Sequence, residues 1–137
     1  MPPDRAAVAE ILCTSRRIAV VGLSPKPWRA SHEVASYLQR AGYTIIPVRP
    51  LGTTILGEPV QPNLRAAAAT RPIDIVNVFR RSEYVAALLD DLLVVRPRLV
   101  WLQVGIRDEA TARQLEAAGI AIVMDRCLAV DHQLQGD

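Results

Sequence analysis

Short apolar blocks alternate along the chain with longer stretches in which apolar residues recur at helical spacing. Blocks that are apolar at every position are typical of strands covered on both faces, as in a buried parallel sheet. Five such blocks predict strands, at residues 18–22, 43–48, 73–79, 98–103 and 120–124. The alternation of these blocks with helical periodicity predicts a series of β–α–β units.

The stretches between the blocks carry the start and stop signals of helices. The clearest helix begins at Ser31, an expected N-cap, and ends at Gly42, with its apolar residues on one face. Further helices are expected at residues 4–15, near 64–69, after Ser82 and after Asp108. The sequence predicts one α/β domain over residues 1–137. This domain is Rossmann-like and doubly wound, with a five-stranded parallel sheet, helices on both faces and strand order 3-2-1-4-5.

A doubly wound sheet binds its ligand beyond the carboxyl ends of the strands, at the point where the strand order reverses. With the predicted order, the loops after strands one and four flank that point. Four segments are therefore expected to converge on one site: residues 22–29, 48–50, 78–81 and 103–108.

The loop after the first strand is the candidate phosphate site. Gly22 lets the backbone turn off the strand, Ser24 offers a hydroxyl and an amide, and Lys26 and Arg29 add positive charge. The start of the helix near Ser31 adds backbone amides that favour anions. The dinucleotide fingerprint GxGxxG is absent, so a turn glycine beside two surface cations remains an alternative.

The ends of the second, third and fourth strands narrow the choice of ligand. NAD-binding folds place an acidic residue after the second strand, whereas Arg49 stands there and favours a phosphorylated ribose, as in NADP or coenzyme A. Phe79 can pack on adenine while Arg80 or Arg81 pairs with a phosphate. Gly105 permits a close backbone approach opposite the first loop. A solvent-exposed arginine and a core phenylalanine remain the alternatives at these positions.

Composition excludes several classes of protein. A net charge of +2 is too small to indicate nucleic-acid binding, and the apolar runs are too short to span a membrane. Cys13 and Cys127 form no CxxC pair, and no cluster of residues has metal-ligand spacing. The N-terminal residues do not have the pattern of a signal peptide. We therefore expect a cytoplasmic protein that binds neither a metal, nucleic acid nor a membrane.

Several motifs in this chain, in the same order, resemble the stand-alone CoA-binding protein family of bacteria. The matching segments are AVVGLS at 19–24 with Pro27, Arg29 and Ser31, GY at 42–43, PVRP at 47–50, ILG at 55–57, VFRRSE at 78–83, WLQVG at 101–105 and VMDRC at 123–127. The resemblance covers residues 10–132. The family is similar to the CoA-binding domain of the succinyl-CoA synthetase alpha subunit. Its members commonly have Asn where this chain has Arg49.

The resemblance implies a site for coenzyme A or a short acyl-CoA. It implies that the loop from Gly22 to Arg29 holds the pyrophosphate, that 48–50 and 78–80 surround the adenosine end, and that Gly105 and Ile106 form the other wall. The implied cofactor-binding residues are Gly22, Leu23, Ser24, Lys26, Arg29, Val48, Arg49, Pro50, Val78, Phe79, Arg80, Gly105 and Ile106. The phosphohistidine of the synthetase belongs to a second domain, so the resemblance implies binding without catalysis.

The residues themselves indicate no catalytic group. His32 follows a helix start and His132 falls in a polar tail, and no Ser/His/Asp arrangement suggests acyl transfer. We therefore expect no enzyme. Three alternatives stay open: an NADP-dependent oxidoreductase, a structural or regulatory subunit with an unknown protein partner, and a thiol-redox carrier. The carrier would act through Cys127, which follows the fifth strand beside Arg126.

Overall fold

The computed structural model describes residues 2–135, so that Met1, Gly136 and Asp137 of the predicted domain lie outside the described residues. In chain order the elements are α1 (Arg5–Thr14), β1 (Arg17–Val21), α2 (Ala30–Arg40), β2 (Thr44–Val48), β3 (Thr54–Ile55), β4 (Glu58–Pro59), α3 (Leu64–Thr70), β5 (Ile75–Val78), α4 (Leu89–Val95), β6 (Leu99–Leu102), α5 (Glu109–Ala117), β7 (Ala121–Val123) and α6 (Leu128–Gln135). Two short 3₁₀ turns precede α4.

The five predicted strands form one parallel sheet that is covered by helices on both faces, as expected. Alternate residues of β1 enter two separate cores, because successive side chains of a strand point to opposite faces. Ile18 and Val20 pack in the core with α1, α2 and α6, whereas Ala19 and Val21 pack in the core with α3, α4 and α5. All four residues are almost fully buried. The apolar blocks of the sequence are therefore the buried centre of the sheet.

The strand order differs from the predicted one. The sheet runs β2-β1-β5-β6-β7, which in the numbering of the prediction is 2-1-3-4-5 and not 3-2-1-4-5. The outer edge of β2 is occupied by the segment that follows it, since Gln61 bridges to Val48 and its N–H donates to the carbonyl of Pro47. Proline donates no ladder hydrogen bond and belongs on edge strands. The third strand of the prediction therefore pairs with β1 instead, and the order reverses between β1 and β5.

The last helix, α6, replaces the polar tail predicted around His132. Its first N–H, at Leu128, donates to Oε1 of Gln103, and Asp131 accepts from the guanidinium of Arg126. Nδ1 of His132 lies 2.8 Å from the hydroxyl oxygen of Tyr37, which joins α6 to α2. Leu128 and His132 thus gain partners that are distant in sequence, whereas the partner of Asp131 lies five residues before it. None of the helices described between residues 2 and 135 is long and apolar enough to cross a membrane.

Candidate ligand-binding site

A cavity of about 670 Å³ opens at the carboxyl ends of β1, β2 and β5. The backbone fixes its base: the N–H of Gly22 donates to the carbonyl of Val48, and the N–H of Phe79 donates to that of Val21. The lining residues are Gly22, Leu23, Ser24, Pro25, Lys26, Arg29, Ala30, Ser31, Arg49, Pro50, Phe79 and Arg80. The cavity therefore lies at the point where the observed strand order reverses, which is where doubly wound sheets bind their ligands.

The charged side chains that line the cavity, among the described residues, all have the same sign. Among the described residues that line it, Lys26, Arg29, Arg49 and Arg80 are cationic and none is acidic. Helix α2 begins at the same place, so the positive end of its dipole adds to these side chains. The whole chain has a net charge of only +2, so positive charge is concentrated at this cavity. The arrangement suits a ligand that carries several negative charges.

Side chains and backbone fold the first loop tightly onto itself. The hydroxyl of Ser31 accepts from the N–H of Ser24 at 3.0 Å, and the hydroxyl of Ser24 accepts from the N–H of Lys26 at 3.1 Å. The N–H of Arg29 donates to the carbonyl of Lys26 and closes a turn. Ser31 is not the N-cap that the sequence predicted, because Arg29 takes that position and Ser31 is buried inside the first turn. The Ser31 hydroxyl therefore stabilises the loop that carries Lys26 and Arg29.

Gly22 allows the two central loops to approach each other closely. Its φ is +84°, and a Cβ atom at this position would lie 2.5 Å from the carbonyl oxygen of Phe79. Only a residue without a Cβ can combine this left-handed conformation with such a contact. Gly22 therefore lets the walls formed by the loops after β1 and β5 meet at the base of the cavity.

Most of the predicted site residues lie together. Nine of the thirteen line the cavity: Gly22, Leu23, Ser24, Lys26, Arg29, Arg49, Pro50, Phe79 and Arg80. Leu23 is 0% exposed, so its side chain belongs to the core and it can offer only its backbone. Val48 and Val78 are buried in the core beneath the cavity and do not line it.

Gly105 and Ile106 also stay outside the lining, because the loop after β6 is bound to other loops. The N–H of Gly105 donates to Oδ1 of Asp125 at 2.6 Å, and the N–H of Arg107 donates to the hydroxyl of Ser82 at 2.9 Å. In the observed order β5 separates β1 from β6, so the expectation that the loops after strands one and four flank the crevice is wrong. The loops after β1 and β5 flank it.

Three lining residues were not among the thirteen named: Pro25, which lies within the predicted segment 22–29, and Ala30 and Ser31, which lie at the helix start that was expected to supply amides. The sequence could have indicated the role of Ser31, since a hydroxyl at the start of a helix can bond the preceding loop as well as cap the helix. Cys127 is half-buried against the core that contains α6 and does not line the cavity. The described part of the chain holds no cluster of three or more His, Cys, Asp or Glu residues that could bind a metal.

Two ionisable groups with shifted pKa values lie away from the cavity. Burial, followed by the proximity of Cys13 and Tyr37, raises the pKa of Tyr43 above its ordinary 10.0, and this hydroxyl lies at the opposite edge of the sheet. A hydrogen bond to Glu109 raises the pKa of Arg107. The guanidinium of Arg107 also faces Asp125, so its charge is shared with acids outside the cavity.

Comparison with known proteins supports a specific family. The chain is 42% identical over 130 residues to YneT, an uncharacterized protein of Bacillus subtilis (strain 168), and the match covers 95% of each. A solved structure from Thermus thermophilus superposes with a TM-score of 0.92 at 36% identity, over 97% of this chain and 99% of that one.

A dinucleotide-forming acetyl-coenzyme A synthetase from Ca. Korarchaeum cryptofilum contains the same fold. It superposes with a TM-score of 0.71 at 19% identity, over 83% of this chain but 26% of the synthetase chain. The model of the CoA binding domain family matches residues 16–133, which is nearly the whole chain. The protein therefore belongs to the CoA binding domain family.

Proposed function

We propose that this protein binds coenzyme A, or a short acyl-CoA, in the cavity between the loops after β1, β2 and β5, and that it catalyses no reaction on the ligand. The observation that carries the proposal is the concentration of four cations and a helix N-terminus, without an acidic residue, at the fold's ligand edge. Coenzyme A has a pyrophosphate and a ribose phosphate, and such groups favour positive charge and backbone amides.

The residues present fit the parts of coenzyme A. The Ser24 region of the first loop, with Lys26 and Arg29, would hold the pyrophosphate, because it combines amides, a hydroxyl and two cations. Arg49 would pair with the phosphate on the ribose, and its backbone is held in place by the carbonyl of Gln61. Pro50 and the half-buried Phe79 offer apolar surface to the adenosine.

The chemistry of the lining supports binding without catalysis. A residue that activates a nucleophile or takes up a proton at neutral pH is usually a histidine, a cysteine or a carboxylate. The described lining provides serine hydroxyls, cations and apolar groups, and none of these three types; we assign Lys26, which could also serve as a base, to phosphate binding with the other cations. The protein's own residues would therefore bind and orient the ligand and leave its thiol or thioester end unreacted.

Calorimetry with coenzyme A, dephospho-CoA and NADP tests the proposal. Coenzyme A should bind more tightly than dephospho-CoA, which lacks the ribose phosphate that would meet Arg49, and more tightly than NADP, whose ribose phosphate is at the 2′ position. Equally weak binding of all three ligands would contradict it. Mass spectrometry of acetyl-CoA after incubation with the protein tests the second half, and hydrolysis or transfer of the acetyl group would refute the absence of catalysis.

Replacing Arg49 with alanine should reduce the preference for coenzyme A over dephospho-CoA. A hydrogen bond to a charged group contributes about 1.5–3 kcal/mol, so Arg49→Ala should weaken coenzyme A binding by about 10- to 150-fold and change dephospho-CoA binding little. Arg40→Ala is the matched control, since Arg40 is exposed on α2 and bonds Ser36 instead of lining the cavity. Equal losses of affinity for coenzyme A and dephospho-CoA would mean that Arg49 contributes only its positive charge and does not recognise the ribose phosphate.

A further inference from the structure

The two most exposed large apolar side chains of the described residues both lie beside the cavity. Trp28 is 71% exposed and Leu51 is 75% exposed. Trp28 precedes Arg29 on the loop after β1, and Leu51 follows Pro50 on the loop after β2. Both neighbours line the cavity, so these exposed groups stand on the two loops that form its walls.

Both side chains are presented by restrained backbone. Trp28 follows Pro27 in the loop that Ser24 and Ser31 brace, and Leu51 follows Pro50. Each of these prolines has a fixed φ, so the backbone that leads to the two side chains has less conformational freedom to lose when a ligand arrives. The ammonium of Lys26, a cavity residue, lies 5.9 Å from the centre of the Trp28 ring. The indole is therefore held next to a group that would bind phosphate.

The chemistry around the cavity has two parts, cations inside it and apolar surface at its rim. A ligand that matches both parts has phosphates joined to a flat, largely apolar group. A purine base is such a group, and it stacks on aromatic side chains in a way that does not depend on base-specific hydrogen bonds. Leucine can pack against the same nucleoside from the other loop, since burying it is favourable.

We infer that Trp28 and Leu51 form an apolar clamp that packs on the adenosine part of the ligand. The inference rests on the proposed function and assigns a role to two residues outside the cavity lining. The clamp provides affinity for the nucleoside, and the cations provide affinity for its phosphates. Both side chains lose exposure when the ligand binds, which accounts for their position at the rim.

Alanine and serine substitutions test the clamp with two ligands that share the nucleoside. Trp28→Ala should weaken binding of coenzyme A and of adenosine 3′,5′-bisphosphate by the same factor, about 5- to 150-fold, because stacking on one base has that range of effect. Leu51→Ser should weaken both ligands by a smaller shared factor. Val94→Ser is the control, because Val94 is 59% exposed on α4 and does not line the cavity.

Fluorescence gives an independent readout, because the chain has two tryptophans and the other one, Trp101, is 0% exposed. Coenzyme A should change the emission of the wild-type protein, and Trp28→Phe should remove that change. If the wild type binds coenzyme A while Trp28→Ala and Leu51→Ser leave its affinity unchanged, the clamp is refuted and the proposed function stands. A loss for coenzyme A without one for the bisphosphate would refute the assignment to adenosine. Failure of the wild type to bind coenzyme A would refute the proposed function itself.

Discussion

Gly22→Ala should unfold or severely destabilise the protein and abolish ligand binding. A Cβ at residue 22 would lie 2.5 Å from the carbonyl oxygen of Phe79, and this neighbour is backbone, which cannot rotate away. The loops after β1 and β5 would have to separate, although the N–H of Phe79 is bonded to the carbonyl of Val21. With the left-handed φ added, we expect a loss of about 3–5 kcal/mol in the free energy of unfolding. Urea denaturation measures this loss, and calorimetry with coenzyme A measures the loss of binding.

Gly57→Ala is the matched control for this substitution. Gly57 has a φ of +79°, nearly that of Gly22, but an added Cβ would have no heavy atom within 4 Å. It should therefore cost only the backbone strain of a left-handed alanine, about 1–2 kcal/mol, and leave ligand binding intact. Equal destabilisation by the two substitutions would contradict the close approach at Gly22.

The strand and helix content of this fold follows from local sequence patterns, but the strand order does not. A fully apolar block predicts a strand buried on both faces without indicating its neighbours. Pro47 could have corrected the order, because a proline inside a strand indicates an edge position and the predicted order placed the second strand between two others. The segment at residues 54–61, which covers that edge, has no apolar block of its own and gave no signal.

The predictions of the site that depended on where strands end agree with the lining of the cavity. The predictions that depended on the order of the strands do not. The loops at Gly22 and Arg49 come together because parallel strands place all their carboxyl ends at one edge. Gly105 was placed opposite Gly22 because the predicted order made their strands neighbours. In the structure Asp125, from the loop after β7, holds Gly105 instead.

The last helix shows a second limit of pattern analysis. Asp131 and His132 interrupt the apolar residues of α6, so the segment resembles a polar tail. The partner of His132, Tyr37, lies 95 residues away in sequence and can be identified only when the chain is folded, whereas Asp131 pairs with Arg126 five residues before it. A part-buried polar residue with a distant partner gives the same local pattern as an exposed one.

Asn77 is the opposite case, a polar residue in the centre of the sheet whose side chain has no hydrogen-bond partner in the described part of the chain. It is 0% exposed and pairs in register with Val20 and Trp101, which are also fully buried. Neither its Oδ1 nor its Nδ2 has a hydrogen-bond partner among the described residues. An unpaired buried amide costs about 1–3 kcal/mol, and we expect the native protein to carry this cost at its core.

Asn77→Asp should therefore lower the free energy of unfolding strongly and in a pH-dependent way. An unpaired buried carboxylate should destabilise the fold by about 3–5 kcal/mol at pH 7. Burial raises the pKa of such a carboxyl in the folded state above its unfolded value of about 3.9. The loss should thus vanish below about pH 4, where the group is neutral in both states, and grow as the pH rises. Urea denaturation of the variant and the wild type across this range measures the difference.

Asn77→Leu separates the effect of a buried charge on stability from the effect of losing the amide. Leucine has a similar size and needs no hydrogen bond, so this variant should be as stable as the wild type or more stable by about 1–2 kcal/mol at every pH. A clear loss of stability would show that the native amide has a partner, such as an internal water. A pH-independent loss in Asn77→Asp would contradict the buried-charge argument. Together the two variants test whether the centre of the sheet, directly below Phe79 and the cavity, is as apolar as its neighbouring residues indicate.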